Sequence, residues 1–384
     1  MVDKILFTAT VDSHIKHFHL PYLKWFKEQG FQVHVASRGK ENMPYADFKW
    51  DIPFSRSPFN KDNIRAYKEL KKIIDTNNYR LIHCHTPVGG VLTRLAARRA
   101  RKKGTKVIYT AHGFHFYKGA PLKNWLLYYP VEKWLARYTD CLITINEEDY
   151  ELARKKRFQA GSIKKVDGVG VDINRFKPLA EEEKLALRQE YGFNEKDFII
   201  ICVGELNANK NQDLVIKAVK MLKEEIPDIK LLLAGRGDME KQYRKMAEKL
   251  GVKDNVLFLG YRRDIPELLS ISDVAVSSSR REGLPVNVME AMATGLPLVV
   301  TDCRGNRDLV RDGENGFLVG VNDAIGMAGA IEKIYRSEEV RKKFRAHNLE
   351  KIKSYSLDVV REEMTGVYTD LDAQGNLSYT LGAN

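Results

Sequence analysis

The sequence predicts an α/β protein of two successive domains, each a parallel sheet covered by helices, and three observations point there. With 384 residues the chain exceeds one ordinary core and suits two domains of roughly 170 to 200 residues. Short β-branched runs alternate with amphipathic stretches in both halves, the pattern of strands buried on both faces with helices between them. Between the halves, Gly168, Gly170 and Pro178 in GVGVDINRFKP interrupt any regular element. The expected layout is a first domain over 1–170, a linker over 171–195, a second domain over 196–354, a helix over 355–369 packing back on the first domain, and a tail over 370–384.

In the first half the expected strands are Ile5 to Ala9, Val33 to Ser37, Leu81 to His85, Val107 to Ala111 and Leu142 to Ile145. Helical patterns fall at His17 to Gln29, Ile64 to Asn77, Val88 to Lys103, Lys123 to Tyr138 and Glu147 to Phe158, with Gly30 and Gly104 placed as C-terminal caps. The second half restarts with strands at Ile199 to Val203, Leu231 to Ala234, Val256 to Leu259, Val274 to Ser277 and Leu298 to Thr301. Its helices are expected at Gln212 to Glu225, Glu240 to Leu250, Ile265 to Ile271, Val286 to Thr294 and Ala324 to Tyr335.

At 43% hydrophobic and 30% charged residues, the composition is that of a globular protein. No stretch reaches the roughly 18 to 20 apolar residues that span a bilayer, and KILFTA begins a strand where a signal peptide would carry its apolar region. The expected location is the cytoplasm. Cys84, Cys141, Cys202 and Cys303 are scattered without a C-x-x-C pair, which speaks against a zinc site and a disulfide framework. The net charge of +12 is uneven: residues 1–175 carry 32 Lys and Arg against 17 Asp and Glu, and residues 176–384 carry 31 against 34. A basic first domain suits an anionic membrane, an anionic substrate or nucleic acid.

The most informative stretch is SSSRREGLPVNVMEAMATGLPLVVTDCRGNRDLV, from Ser277 to Val310. A buried strand ends at Ser277, a polar loop follows to Leu284, and Pro285 is well placed as the first residue of a helix. In open α/β sheets ligands bind outside the carboxyl ends of the strands, where helix N-termini favour phosphate. Gly283 and Leu284 would supply N–H groups there, bracketed by the carboxylates of Glu282 and Glu290, which are good acceptors for sugar and ribose hydroxyls. Two carboxylates also admit a glycosidase, whose catalytic pair sits roughly 5 to 9.5 Å apart. On one continuous helix, eight residues would separate these two by about 12 Å, which weakens that reading without excluding it. Both could equally be surface charges.

The run EGLPVNVMEAMATGLPLVVTDCRGNRDLV resembles the donor-site signature of glycosyltransferase family four, retaining enzymes of the GT-B architecture. VGELNANKNQDLVIKA, LLLAGRGDMEKQYRKMAEKLG and NVLFLGYRRDIPELLSISDV follow the family's order and spacing across the second domain. The first domain is similar more loosely, through HFHLPYLKWFKEQGFQVHVAS, LIHCHTP and IYTAHGFHF, and looks most like bacterial exopolysaccharide and capsule enzymes. The resemblance implies two facing Rossmann-like domains with parallel sheets and an interdomain cleft. It implies transfer of a hexose or N-acetylhexosamine from a nucleotide sugar, UDP by resemblance alone, to a saccharide or lipid-linked acceptor.

Carried over residue by residue, the resemblance gives Glu282 the donor sugar, Glu290 the ribose, Gly283 and Leu284 the diphosphate through their N–H groups, and Lys210 the phosphate charge. Gly204, Gly235, Arg236 and Arg262 fall where the family holds the nucleotide, and His112 matches a histidine at the donor sugar or reacting centre. His14 and His85 stand as acceptor-side candidates, with His83 beside them. Glu205 departs from the pattern, because the family carries an arginine there, and TATVDSH replaces its first glycine-rich loop. Asn207, Asn209 or Arg281 are the residues at hand to compensate. No metal or other cofactor is expected, the nucleotide sugar being a co-substrate.

Aromatics and lysines between Phe114 and Tyr138 suggest peripheral contact with anionic membrane at the inner face of the cell membrane, or a helix packed into the core through Trp125, Tyr129 and Trp134. Two other functions remain open at this point. A nucleotide-sugar epimerase of similar architecture would turn over donor without acceptor. A nucleic-acid binder would explain a pI near 9.3, but the chain lacks a helix-turn-helix, zinc ligands and an RNP-like strand, so no nucleic-acid partner is expected.

Overall fold

The computed structural model describes residues 2–373 and forms two compact units, one built from the chain up to Gly168 together with the chain from Val360 onward, the other from Val169–Val359. The first unit holds β1 (Lys4–Val11), β2 (Gln32–Arg38), β3 (Phe48–Asp51), β4 (Leu81–His85), β5 (Lys106–Ala111), β6 (Cys141–Thr144) and β7 (Ser162–Lys165). They pair in parallel in the order β3-β2-β1-β4-β5-β6-β7. Alternation along β1 explains the layering: Ile5, Phe7 and Ala9 enter one core with Val33 and Val35, while Leu6 enters the opposite core with Ala36, Ile82 and Val107. Each such side chain stabilises the fold by roughly 1.5 to 3 kcal/mol on burial.

From Val360 the terminal helix Leu357–Ala373 belongs to this unit. Val360, Met364, Val367, Tyr368 and Leu371 recur at helical spacing and join the core of Ile5 and Phe7. Residues 370–373 of the expected tail continue this helix, and the rest of it lies outside the described residues.

The second unit repeats the design with β8 (Phe198–Val203), β9 (Ile229–Ala234), β10 (Val256–Gly260), β11 (Val274–Ser277), β12 (Leu298–Thr301) and β13 (Gly316–Val319). The order is β10-β9-β8-β11-β12-β13, again parallel. In each sheet the chain winds outward in one direction from a central strand and then in the other, so the switch points fall between β1 and β4 and between β8 and β11.

Two expectations need correction. The stretch 171–195 is not a linker: it contains the helix Glu181–Glu190 and is part of the second unit. Arg188, 5% exposed, donates to the carbonyl of Ile271 at 2.9 Å and to the carboxylate of Asp273 at 2.6 Å, and Lys184 joins the same carboxylate at 3.1 Å. The helix expected over His17 to Gln29 is two helices, Asp12–Phe18 and Leu20–Glu28, because Pro21 starts the second and His19 sits between them with φ −122° and ψ 0°. The same first helix occupies Asp12 to His14 of the expected TATVDSH loop.

One buried ion pair ties two helices of the first unit. Arg94, 1% exposed, donates from Nη2 to Glu132 at 2.8 Å and from Nε to the Gly90 carbonyl at 3.0 Å, and its guanidinium lies 3.9 Å from the Tyr109 ring centroid. Arg94→Met is expected to cost about 3 to 5 kcal/mol in urea unfolding, because the buried Glu132 loses its ion-pair partner, while adding Glu132→Leu recovers part of the loss. A single variant as stable as the wild type would remove this pair from the account of stability.

Candidate functional site

The switch point of the second sheet places two loops side by side. β8 leads into Gly204 to Gln212 and β11 into Ser278 to Pro285, so Lys210 and Glu282, 72 residues apart, meet at 2.7 Å between Nζ and Oε1. Their side chains are 22% and 13% exposed, enough shielding to strengthen the pair over a surface one.

Both loops are held by hydrogen bonds from residues with no chemistry of their own. The Asn207 side-chain oxygen accepts from the N–H groups of Asn209 and Lys210 at 3.0 and 2.9 Å, and Ser278 donates from Oγ to the Lys210 carbonyl at 2.7 Å. Asn211 closes the turn at φ +58°, its side-chain amide donating to the carbonyls of Ser278 and Val321 at 3.2 and 3.0 Å. Asn209 reaches the Arg281 carbonyl at 3.2 Å, and Arg304 donates to the Glu282 carbonyl at 2.9 Å. Gly305 packs so closely that a Cβ there would stand 2.5 Å from the Gly283 carbonyl oxygen. Sequence reasoning missed Ser278, Arg304 and Gly305. The available signal was polar residues at the carboxyl ends of adjacent strands.

Gly283 and the buried Leu284 immediately precede the helix Val286–Ala293, which Pro285 caps rather than begins. Glu290 lies on that helix, and burial pushes its carboxyl up to about 7 while Arg175 pulls the other way. Glu282 belongs to the loop and is committed to Lys210, so the two glutamates occupy different settings.

The glycines expected to hold the nucleotide have packing reasons of their own. A Cβ on Gly235 would lie 1.9 Å from the Gly204 carbonyl oxygen, and one on Gly204, at φ +154°, 3.4 Å from the Lys210 side chain. Arg236 is exposed, with its carbonyl accepting the Leu206 N–H at 2.9 Å. Arg262 is engaged by the Asp264 carboxylate, Nε to Oδ1 at 2.7 Å, and Tyr191 donates to the same carboxylate at 2.7 Å. These bonds hold the Asp264 carboxyl well below the usual carboxylate range. Glu205 is exposed and accepts from the Asn207 side chain at 3.0 Å.

In the first unit the corresponding switch point gathers histidines. His85 ends β4, His112 follows β5, His14 lies on the helix Asp12–Phe18, and His19 is the break after it. His112 Nε2 stands 3.3 Å from both His14 Nε2 and His85 Nδ1. The hydroxyl of Thr86, at φ +63°, accepts from the Thr10 N–H at 3.0 Å and hydrogen-bonds the Thr10 hydroxyl at 2.7 Å, tying β1 to the end of β4. Burial pushes His112 down to about 4 and holds His14, His19, His83 and His85 well below the usual imidazole range, with mutual repulsion adding to it, so all five are neutral at pH 7.

Expectations divide here. His14 and His112 are half-buried, whereas His85 is 0% exposed and cannot reach an acceptor, so its acceptor-side role is corrected to support of His112. His83 uses both nitrogens, on Tyr368 and Thr110 at 2.8 Å each, and is structural. His19 was not singled out from sequence. The four cysteines are buried and free.

Glu290 supplies a pH test. Its folded value, about 7, lies above the ordinary 4.5, so the folded state holds the proton more tightly and this contribution to stability is lost as pH rises from 4.5 through about 7. At most about 3 kcal/mol is involved. Urea unfolding at stepped pH should show Glu290→Gln lacking this decline; equal pH slopes in variant and wild type would contradict the assignment.

Comparison with known proteins gives the family. The family model described as "Glycosyl transferases group 1" matches residues 183–350, and "Glycosyl transferase 4-like" matches residues 4–146. The Bacillus subtilis protein described as "Putative glycosyltransferase EpsD" is 52% identical over 377 residues, covering 97% of this chain and 99% of that one. The Escherichia coli UDP-Gal:alpha-D-GlcNAc-diphosphoundecaprenol alpha-1,3-galactosyltransferase is 33% identical over 278 residues, covering 71% and 70%. Among solved structures, Anabaena HepE in complex with UDP and glucose superposes with a TM-score of 0.78 at 20% identity, over 96% of this chain and 100% of that one. Sucrose-phosphate synthase from Thermosynechococcus elongatus reaches 0.80 at 19% identity, over 97% and 100%. None of these supports the epimerase alternative. With two Rossmann-ordered parallel sheets, a paired lysine and glutamate at the second switch point, and matches across both units, the chain belongs to the family-four glycosyltransferases of the GT-B type.

Proposed function

We propose that this glycosyltransferase moves a hexose or N-acetylhexosamine from a UDP-sugar to a saccharide or lipid-linked acceptor in exopolysaccharide or capsule synthesis, with retention at the anomeric carbon. The observation that carries the reading is the Lys210–Glu282 pair beside a helix N-terminus. An incoming diphosphate takes Lys210 and the N–H groups of Gly283 and Leu284, which frees Glu282 to accept sugar hydroxyls, while Glu290 accepts from the ribose. Lys210 and the helix N-terminus supply the positive charge that offsets the departing nucleotide, the task that Glu205 in place of an arginine leaves largely to them. The bond from the anomeric carbon to phosphate breaks, a bond to the acceptor oxygen forms on the same face, and the acceptor's proton passes to the leaving phosphate oxygen. His112, neutral at pH 7, is assigned by resemblance to the reacting sugar.

Two relatives support the substrates: the Escherichia coli enzyme acts on UDP-Gal and a diphosphoundecaprenol-linked sugar, and HepE binds UDP and glucose. A lipid-linked acceptor also fits the surface of the helix Leu122–Leu135. Trp125 and Tyr129 pack inward against Phe116, whereas Leu122, Leu126, Leu127, Val131 and Trp134 are 41 to 72% exposed. Among the described residues no helix is long and apolar enough to cross a membrane, so this exposed row would seat at a headgroup boundary, drawn there by the basic charge of the first half.

A thermal-shift panel of nucleotide sugars followed by nucleotide release with lipid-linked acceptors tests the reaction. Lys210→Ala and Glu282→Ala should each lower kcat/KM by about 100- to 1000-fold, and near-normal turnover in Lys210→Ala would sink the diphosphate assignment. Leu122→Glu/Leu126→Glu should abolish co-sedimentation with anionic vesicles. Equal sedimentation of variant and wild type would refute the membrane contact.

A further inference from the structure

Arg280 stands two residues before Glu282 in the loop after β11, and its guanidinium reaches the loop that carries Lys210. Nε donates to the Ala208 carbonyl at 3.2 Å, Nη2 to the Asn211 side-chain oxygen at 2.5 Å and Nη1 to the Asn322 side-chain oxygen at 2.8 Å. The backbone N–H of Arg280 donates to the Asn209 carbonyl at 2.8 Å. One residue thereby joins the loops after β8, β11 and β13 at the carboxyl edge of a single sheet.

The bond to Asn211 fixes how the Lys210 turn is built. Arginine only donates, so Oδ1 of Asn211 must face it, and the amide NH2 is turned to the carbonyls of Ser278 and Val321 at 3.2 and 3.0 Å. Asn211 is 2% exposed and is held by three loops at once, which sustains its φ of +58° in the residue that follows Lys210. The Lys210 backbone is pinned as well, its N–H on Asn207 and its carbonyl on Ser278. The position of Lys210 Nζ therefore depends on bonds that end in Arg280.

The Lys210–Glu282 ion pair crosses between the same two loops. On the transfer reading given above, the diphosphate takes Lys210 from Glu282, and that crossing opens whenever donor binds. The Arg280 bonds go to neutral oxygens and involve neither member of the pair, so they survive its opening.

We propose that Arg280 is a positioning residue for the donor: its fork holds the Lys210 loop in place when the Lys210–Glu282 pair opens to admit the diphosphate. Charge alone does not perform this task. A lysine at this position keeps the charge, but as a compact donor on a flexible stem it cannot span three acceptors in two loops with a planar fork. The inference rests on the assignment of Lys210 to the diphosphate, and the test separates the two.

The full chain is titrated with UDP and, separately, with uridine by calorimetry, as wild type, Arg280→Lys, Arg280→Met, Lys210→Ala and the double variant Arg280→Met/Lys210→Ala. Arg280 is exposed, so neither substitution empties the core, and thermal melting confirms that each variant is folded. Lys210→Ala should weaken UDP about 10- to 100-fold, the loss of one charge-assisted hydrogen bond. Both Arg280 variants should weaken UDP about tenfold and leave uridine unchanged. The double variant should match Lys210→Ala alone, because Arg280 acts through the lysine. Arg280→Lys binding UDP as tightly as the wild type overturns the proposal, as does an equal loss for uridine, or a further tenfold loss in the double variant, the mark of a direct contact with the nucleotide. UDP affinity unchanged in Lys210→Ala removes the diphosphate assignment itself, and the positioning role with it.

Discussion

Both candidate sites in this molecule depend on a constraint of parallel sheets. Neighbouring strands that run the same way must be joined by long crossovers, and where the chain changes its direction of winding, the two central strands send their following loops to opposite sides. Backbone groups at those carboxyl ends are left without ladder partners. In the second unit the gap between β8 and β11 receives Lys210 and Glu282, and in the first the gap between β1 and β4 receives His14, His85 and their neighbours. Each gap is closed by a non-glycine residue at positive φ, Asn211 in one and Thr86 in the other, whose side chains are anchored across the switch. Such strain persists only where surrounding bonds over-determine it.

Central strands were legible because burial on both faces writes a continuous apolar run. Leu81 to His85 was read to the residue, and the other central strands to within a residue or two at either end. The strands that escaped are edge or near-edge ones: β3 is FKWD, β7 is SIKK, and β13 is GFLV, four residues long behind a turn. In β3 and β7 the half-solvated edge carries charge and loses the apolar signal, whereas β13 is too short to show one. Glu181–Glu190 escaped for another reason. Its anchor, Asp273, lies 85 residues from Arg188, and nothing local to EEEKLALRQE reports it.

The candidate site was legible as residues and illegible as relations. Resemblance supplied Glu282, Glu290 and Lys210 by motif, yet no pattern along the chain states that two of them form an ion pair across 72 positions. Histidines show the same limit more sharply. His83, His85 and His112 all lie in or just after a strand, and only burial and hydrogen bonding separate a braced structural ring from a supporting ring and from one half-open to solvent.

The Lys210–Glu282 bond has a bearing on what leaves the protein as well as on what enters. On the proposed reading, a whole donor offers phosphate to the lysine and hydroxyls to the glutamate, so both members of the broken pair find new partners. After transfer the nucleoside diphosphate retains the phosphate and lacks the sugar, and Glu282 is left partly shielded with nothing to accept from. Re-forming the ion pair then favours expulsion of the spent nucleotide. On that reading, a bond that looks like an obstacle to substrate would act as a spring for product release and would set donor and product apart by the fate of one carboxylate.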